Sequence, residues 1–187
     1  MELKDNLLRE KRTPDFFLIS RHQLKTYQHM GKTPLNIGEE AARIRVRKFC
    51  DYRERNHREV RDKLYSFGLY PAQVENLLSE LVQENILNEE RYAIAFARGK
   101  FRTRHWGKVK ITYELKQQQV SVYCIKKALK EMDEEEYLSV LKKLAVDKYE
   151  LLRKEKNAAI KKQKLYRYLL QKGYESQHIQ KIITQII

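Results

Sequence analysis

Residues 60–78 read VRDKLYSFGLYPAQVENLL, residues 111–129 read ITYELKQQQVSVYCIKKAL and residues 165–183 read LYRYLLQKGYESQHIQKII. Laid over one another, the three segments keep apolar residues at the same internal offsets. Val60, Leu64, Leu69, Val74, Leu77 and Leu78 correspond to Ile111, Leu115, Val120, Ile125, Ala128 and Leu129, and to Leu165, Leu169, Tyr174, Ile179, Ile182 and Ile183. The first two slots are four apart, which puts both side chains on one helical face. Gly68, Gln119 and Gly173 follow where the chain leaves that helix through the left-handed region, a conformation glycine adopts freely and glutamine only with strain. Pro71, Ser121 and Ser176 then mark a second amphipathic helix, since proline suits a first helical turn and serine can cap one.

Leu64 and Leu115 are 51 residues apart, and Leu115 and Leu169 are 54 apart. These periods exceed those of the common helix-pair repeats and leave room for a third helix. That helix precedes each pair, over about residues 39–56, 89–104 and 133–155. Its apolar positions recur at helical spacing as Ala42, Val46 and Phe49, as Ala93, Phe96 and Ala97, and as Leu138, Leu141 and Leu144. The second and third leaders open on Asn88-Glu89-Glu90 and Asp133-Glu134-Glu135-Glu136, acids that suit the positive end of a helix. The expected fold is all-α: three tandem three-helix modules, residues 39–88, 89–132 and 133–187, forming an elongated, curved molecule. Residues 1–38 stand apart as a partly irregular amino-terminal arm. In it Phe16-Phe17-Leu18-Ile19 reads as a short strand or helix, and Gly31, Pro34 and Gly38 read as loop.

Composition agrees with helix, because 6 glycines and 3 prolines in 187 residues leave few backbone breakers. Lys and Arg number 39 against 25 Asp and Glu, a formal net charge of +14 with a pI of about 9.7. Such a field attracts polyanions, nucleic acid first and an anionic membrane second, while a ribosomal-type protein is the plainer reading. Cys50 and Cys124 are far apart and form no Cys-x-x-Cys pair, so reduced thiols are expected rather than a disulfide or a zinc site. The amino terminus mixes acids with bases and has no apolar run long enough for a signal or a membrane span. A soluble, cytoplasmic chain without membrane contact is expected.

The densest basic run is Arg98, Lys100, Arg102, Arg104, Lys108 and Lys110, with Phe101, His105 and Trp106 interleaved and Arg91 upstream. Cations so arranged can neutralise phosphates and release counterions, or meet acidic patches on a protein; a solvated helix face is the plainer reading. Trp106 could stack on a base, but its place before a helix favours packing back onto it. A second basic surface runs through Arg43, Arg45, Arg47, Lys48, Arg53, Arg55, Arg58 and Arg61, diluted by Asp51, Glu54, Glu59 and Asp62. A third involves Lys154, Lys156, Lys161, Lys162, Lys164 and Arg167. Modules strung side by side would join the three into one positive stripe.

Catalytic readings find little support. His22, His29, His57, His105 and His178 are dispersed without metal-ligand spacing. Gly31-Lys32-Thr33 imitates the end of a phosphate-binding loop, yet Thr26 stands where that loop needs glycine and Pro34 where its helix begins. The acids Glu131 and Asp133 to Glu136 read as helix capping rather than a cation cage or a nuclease centre. No enzyme, metal or cofactor is expected.

In the middle module the order Leu87-Asn88-Glu89-Glu90-Arg91-Tyr92-Ala93, then Phe96, Lys100 and Arg102, then Trp106-Gly107-Lys108-Val109-Lys110-Ile111 and Glu114-Leu115 resembles the RecX family. Arg53-Glu54-Arg55-Asn56 resembles that family's Arg-x-Arg-Ser, with Asn56 keeping the capping chemistry. Lys164-Leu165 and Gly173-Tyr174 resemble its carboxy-terminal repeat. The match covers about residues 39–187; Gln119 departs from it where glycine is usual, and the arm before residue 38 carries no family pattern. The resemblance implies a regulator that binds along a RecA filament, contacts RecA and, directly or through RecA, single- or double-stranded DNA, and limits recombinase activity in DNA repair and the SOS response; a chain of such modules can function as a monomer. The alternative is a helical protein that binds its own DNA or RNA target without RecA.

Overall fold

A computed structural model describes residues 35–186, and among these residues every regular element is a helix. They are α1 (Glu39–Asp51), α2 (His57–Ser66), α3 (Pro71–Gln83), α4 (Glu89–Arg104), α5 (Lys108–Gln117), α6 (Val122–Lys130), α7 (Glu134–Leu151), α8 (Ala158–Lys172) and α9 (Ser176–Ile186). The expectations for Phe16 to Ile19 and for Gly31-Lys32-Thr33 fall outside the described residues.

Short-range chemistry starts the helices. The Asn56 side chain accepts from the Glu59 N–H at 2.7 Å, while the Glu59 carboxylate accepts from the Asn56 N–H at 3.3 Å, a reciprocal cap on α2. Asn88, Ser121, Asp133 and Asn157 accept first-turn N–H groups of α4, α6, α7 and α8. Pro71 opens α3, and α9 begins at Ser176 itself. Gly68, Gln119 and Gly173 all have left-handed φ, at 78°, 62° and 90°, so each triplet turns its second helix back at the same repeat position. Two leader helices end earlier than the expected spans of 39–56 and 133–155, α1 at Asp51 and α7 at Leu151. The residues that follow are needed as links into the next cap, where Asn56 and Asn157 take extended rather than helical backbone angles.

Every repeat slot named above is buried except Leu129, which is half-buried. Helices α1–α3 close around their own core, which includes Ala42, Val46, Val60, Leu64, Leu77 and Leu81. Helices α4–α9 share a second, continuous core that runs from Ala93 and Phe101 through Tyr137 to Leu169 and Ile183. Burying a Leu or Ile side chain is worth roughly 1.5–3 kcal/mol, so the first triplet and the last six helices each carry an apolar centre of their own.

Each triplet meets what precedes it at one repeat position. Phe67, Gln118 and Lys172 follow or close the second helix of their triplets. The Phe67 carbonyl accepts from the Ile37 N–H at 3.2 Å, the Gln118 side chain from Asn56 Nδ2 at 3.1 Å, and the Lys172 carbonyl from the Gly107 N–H at 2.8 Å.

Candidate partner-binding surface

Where the second triplet meets the third, the amino end of α5 is sunk into its neighbour. The first N–H groups of a helix lack intrahelical acceptors, and here the third triplet supplies them. Gly107 N–H donates to the Lys172 carbonyl at 2.8 Å, Lys108 N–H to the Tyr137 hydroxyl at 3.1 Å, and Val109 N–H to the Gly173 carbonyl at 3.0 Å. The Tyr137 hydroxyl donates onward to the Glu175 carboxylate at 2.5 Å; burial and that acceptor push its ionisation far above the ordinary phenol range. A helix end that could otherwise hold an anion is thereby filled by carbonyl and hydroxyl oxygens. The approach needs glycine on both sides. A methyl group on Gly107 would overlap the backbone of Gly173 and Tyr174, and one on Gly173 would overlap Lys110.

Around this seam, cations from both triplets gather without pairing to acids. Lys100 and Lys110 hold their ammonium groups 5.3 and 4.7 Å from the Trp106 ring. Lys148 and Lys172 stand 5.2 and 5.8 Å from the Tyr168 ring. Lys172 ties the two clusters together, because its Nζ also donates to the Arg104 carbonyl at 3.2 Å. Arg98, Arg102 and Arg104 are exposed along α4, and among the described residues none of these seven cations meets an acid within ion-pairing distance. Trp106 is half-buried against the core. Lys108 turns from the cluster to pair with Glu134 at 2.5 Å, above the Tyr137 ring.

The arginines of the first triplet are engaged by acids of the same chain, except Arg45, which is exposed and meets none among the described residues. Arg43 pairs with Glu40 and Glu80, Arg47 with Glu80 and Glu84, and Arg61 with Glu75 at 3.0 Å. Hydrogen bonding to Arg47 holds the Glu84 carboxyl below the usual carboxylate range. Of the residues expected to bind a partner, Arg53 pairs with Glu59 at 2.5 Å, Arg58 lies 3.9 Å from Asp62, and Arg91 reaches back to Glu54 at 2.9 Å. Arg55 lies 3.8 Å from Glu59 and stacks 3.8 Å over the Phe49 ring. In the third triplet, Lys164 pairs with Glu155 at 2.7 Å and Lys161 lies 3.6 Å from the Tyr149 ring centre. Lys162 and Arg167 are exposed, with no acid partner among the described residues.

The charge is divided accordingly. Residues 35–88 carry nine Lys and Arg against nine Asp and Glu, residues 89–132 eleven against four, and residues 133–187 twelve against eight. The first triplet is neutral, and the excess positive charge of the helical repeats sits on the other two.

Comparison with known proteins gives this architecture a family. The model of the RecX second three-helix domain matches residues 88–129, and that of the RecX third three-helix domain matches residues 134–183. A regulatory protein RecX from Clostridium perfringens strain 13 is 32% identical over 133 residues, which cover 71% of this chain and 62% of that protein. The chain belongs to the RecX family. The regulatory protein RecX of Clostridium tetani is 27% identical over 176 residues, 91% of this chain and 81% of the relative. A crystal structure of RecX from Lactobacillus salivarius shares the fold with a TM-score of 0.70 at 21% identity, over 79% of this chain and 95% of that one. The chain thus spans 62% of the length of the Clostridium perfringens relative.

In this RecX-family chain, the segment Trp106 to Ile111 that carries much of the resemblance builds the seam between the last two triplets. Lys148, Tyr168 and Lys172 join the same surface and escaped the sequence reading. They lie between 44 and 74 residues from the Arg98–Arg104 run of α4 in the sequence, and no local pattern distinguishes them from a solvated helix face. No helix among the described residues is long and apolar enough to cross a membrane.

Proposed function

We propose that this RecX-family chain binds a RecA–DNA filament and restrains the recombinase, acting by binding rather than catalysis, as a cytoplasmic monomer in DNA repair and the SOS response. What supports the reading is family membership together with the cluster of Arg98, Lys100, Arg102, Arg104, Lys110, Lys148 and Lys172 around the seam, none of them ion-paired among the described residues. Cations that meet no acid within the chain can exchange counterions for the phosphates or carboxylates of an extended acidic assembly without first breaking an internal ion pair. Lysines already poised over Trp106 and Tyr168 lose little side-chain freedom on contact. Arg53, Arg55, Arg58 and Arg91 have a supporting part in this reading, holding the first triplet and its junction, while Lys162 and Arg167 extend the contact surface.

The test is a titration of RecA-driven ATP hydrolysis at several DNA concentrations. A filament regulator inhibits at amounts well below one copy per recombinase, and the amount needed does not follow the DNA. If the amount needed rises in step with the DNA, the chain acts on nucleic acid without RecA, which is the alternative reading.

A further inference from the structure

His57, Lys108 and Lys162 hold one repeat position near the start of the second helix of each triplet. In the first two triplets this residue faces the first acid of the next leader helix: His57 Nδ1 lies 4.0 Å from Glu89, and Lys108 Nζ lies 2.5 Å from Glu134. Glu89 and Glu134 are the first residues of α4 and α7, so an acid-led helix is what this position receives within the chain. Lys162 is exposed and has no acid partner among the described residues.

Beside Lys162, a groove of about 720 Å³ lies between α8 and α9, lined by Ala159, Ile160, Tyr166, Ile183 and Thr184 among others. The repeat-equivalent groove of the first triplet measures about 370 Å³ and is bridged by the Arg61–Glu75 pair at 3.0 Å. Tyr166 and Gln180 occupy those two positions in the third triplet and make no such bridge. Helix α8 also starts a turn earlier than α2 and α5, which places Ile160, 40% exposed, at the groove mouth. The result is an apolar trough with an unpaired ammonium at one end.

A second copy of the chain is a poor occupant. The acids that open its own leader, Glu39 and Glu40, already pair with Arg43, and its receiving carbonyl at Phe67 already accepts from Ile37. We propose that the α8–α9 groove receives the acid-led first turns of an amphipathic helix from a protein partner, with Lys162 taking the leading carboxylate and Ile160 and Tyr166 the apolar face. This is helix-in-groove recognition, with acids where the positive end of the incoming helix favours them. It rests on the reading that the chain binds a protein assembly and names one contact of that assembly, yet its test needs no filament.

A fluorescein-labelled peptide of residues 133–151, the acid-led leader that already meets Lys108, is titrated into the full chain and followed by anisotropy. Saturable binding is expected, weakened at least ten-fold by Lys162→Glu and by Ile160→Asp, both at exposed positions where the helix content read by circular dichroism stays unchanged. A peptide with Glu134, Glu135 and Glu136 replaced by lysine is expected to prefer the Lys162→Glu variant over the wild type. Equal affinity of wild type and variants, or no saturation at millimolar peptide, overturns the proposal. So does a loss of affinity for labelled single-stranded DNA in Ile160→Asp when peptide binding is unaffected, because the groove would then serve nucleic acid. Co-sedimentation of the wild-type chain with a RecA filament is read separately: its absence contradicts the functional reading and leaves the peptide result standing.

Discussion

The junction between the first two triplets is held by side chains, with Asn56 and Tyr92 both bonded to Gln118 and Arg91 paired with Glu54. The junction between the last two is held largely by backbone, with Gly107 and Val109 N–H groups on the carbonyls of Lys172 and Gly173. Both use the same repeat positions, Asn56 matching Gly107 and Gln118 matching Lys172, and both place a leader tyrosine, Tyr92 or Tyr137, at the centre. Replacing a polar side chain by glycine lets two backbones touch and two cores merge. Keeping the side chains leaves a polar layer and two separate cores. The seam with backbone contact is also the one surrounded by cations without ion pairs, so the surface proposed to meet the partner sits on the junction where two triplets share one core.

The comparison breaks most severely at Gly107. Gly107→Ala should destabilise the unit α4–α9 by about 3 kcal/mol, because backbone rather than a movable side chain occupies the space; urea denaturation measures this. Tyr137→Phe removes a hydroxyl that donates to Glu175 and accepts from Lys108 N–H, an expected loss of about 1–2 kcal/mol. The same residue gives the seam a pH signature. Tyr137 and Tyr174 ionise above their ordinary value of 10.0 when folded, chiefly through burial. Their contribution is therefore whole below pH 10.0 and is lost as pH rises beyond it, where the unfolded phenols ionise. Thermal melts between pH 9 and 12 should show that decline, and Tyr137→Phe should flatten it.

Smaller effects belong to the first junction. Gln118→Ala leaves Asn56 Nδ2 and the Tyr92 hydroxyl without this acceptor, at a cost of about 1 kcal/mol. Hydrogen exchange in that variant should quicken along α2 while α5 and α8 keep their protection. Arg91→Gln should cost less still, about 0.5 kcal/mol or under, and raised salt should erase the difference, as for other partly exposed ion pairs.

Much of the fold was legible in the sequence because its determinants are local. The slots from Val60 to Leu78 and their counterparts fix helix faces, and Asn56, Asn88, Ser121 and Asp133 mark helix starts within a few residues. The end of α1 is not legible in the sequence, since Tyr52 to Asn56 contains no glycine or proline to stop a helix and only the cap on α2 shows that the chain has turned. The proposed contact surface was half legible. Arg98 to Arg104 stood out as a run, but the neutralisation of the first triplet depends on partners such as Arg43 with Glu80 and Arg91 with Glu54, 37 residues apart, beyond any i,i+4 reading. Gly107 was visible as part of a motif, whereas its role is visible only once Gly173 lies against it.

The division of charge can be put to the test by replacing cations with glutamine in two sets, Arg98, Arg102 and Arg104 on α4, and Arg53, Arg58 and Arg61 in the first triplet, and measuring affinity for a RecA–DNA filament across salt concentrations. The first set should weaken binding at least ten-fold near physiological salt and lower the slope of log affinity against log salt by about two, while the second should leave both nearly unchanged. Equal losses from the two sets, or a larger loss from the first triplet, would contradict the assignment of the contact surface to the seam of the last two triplets.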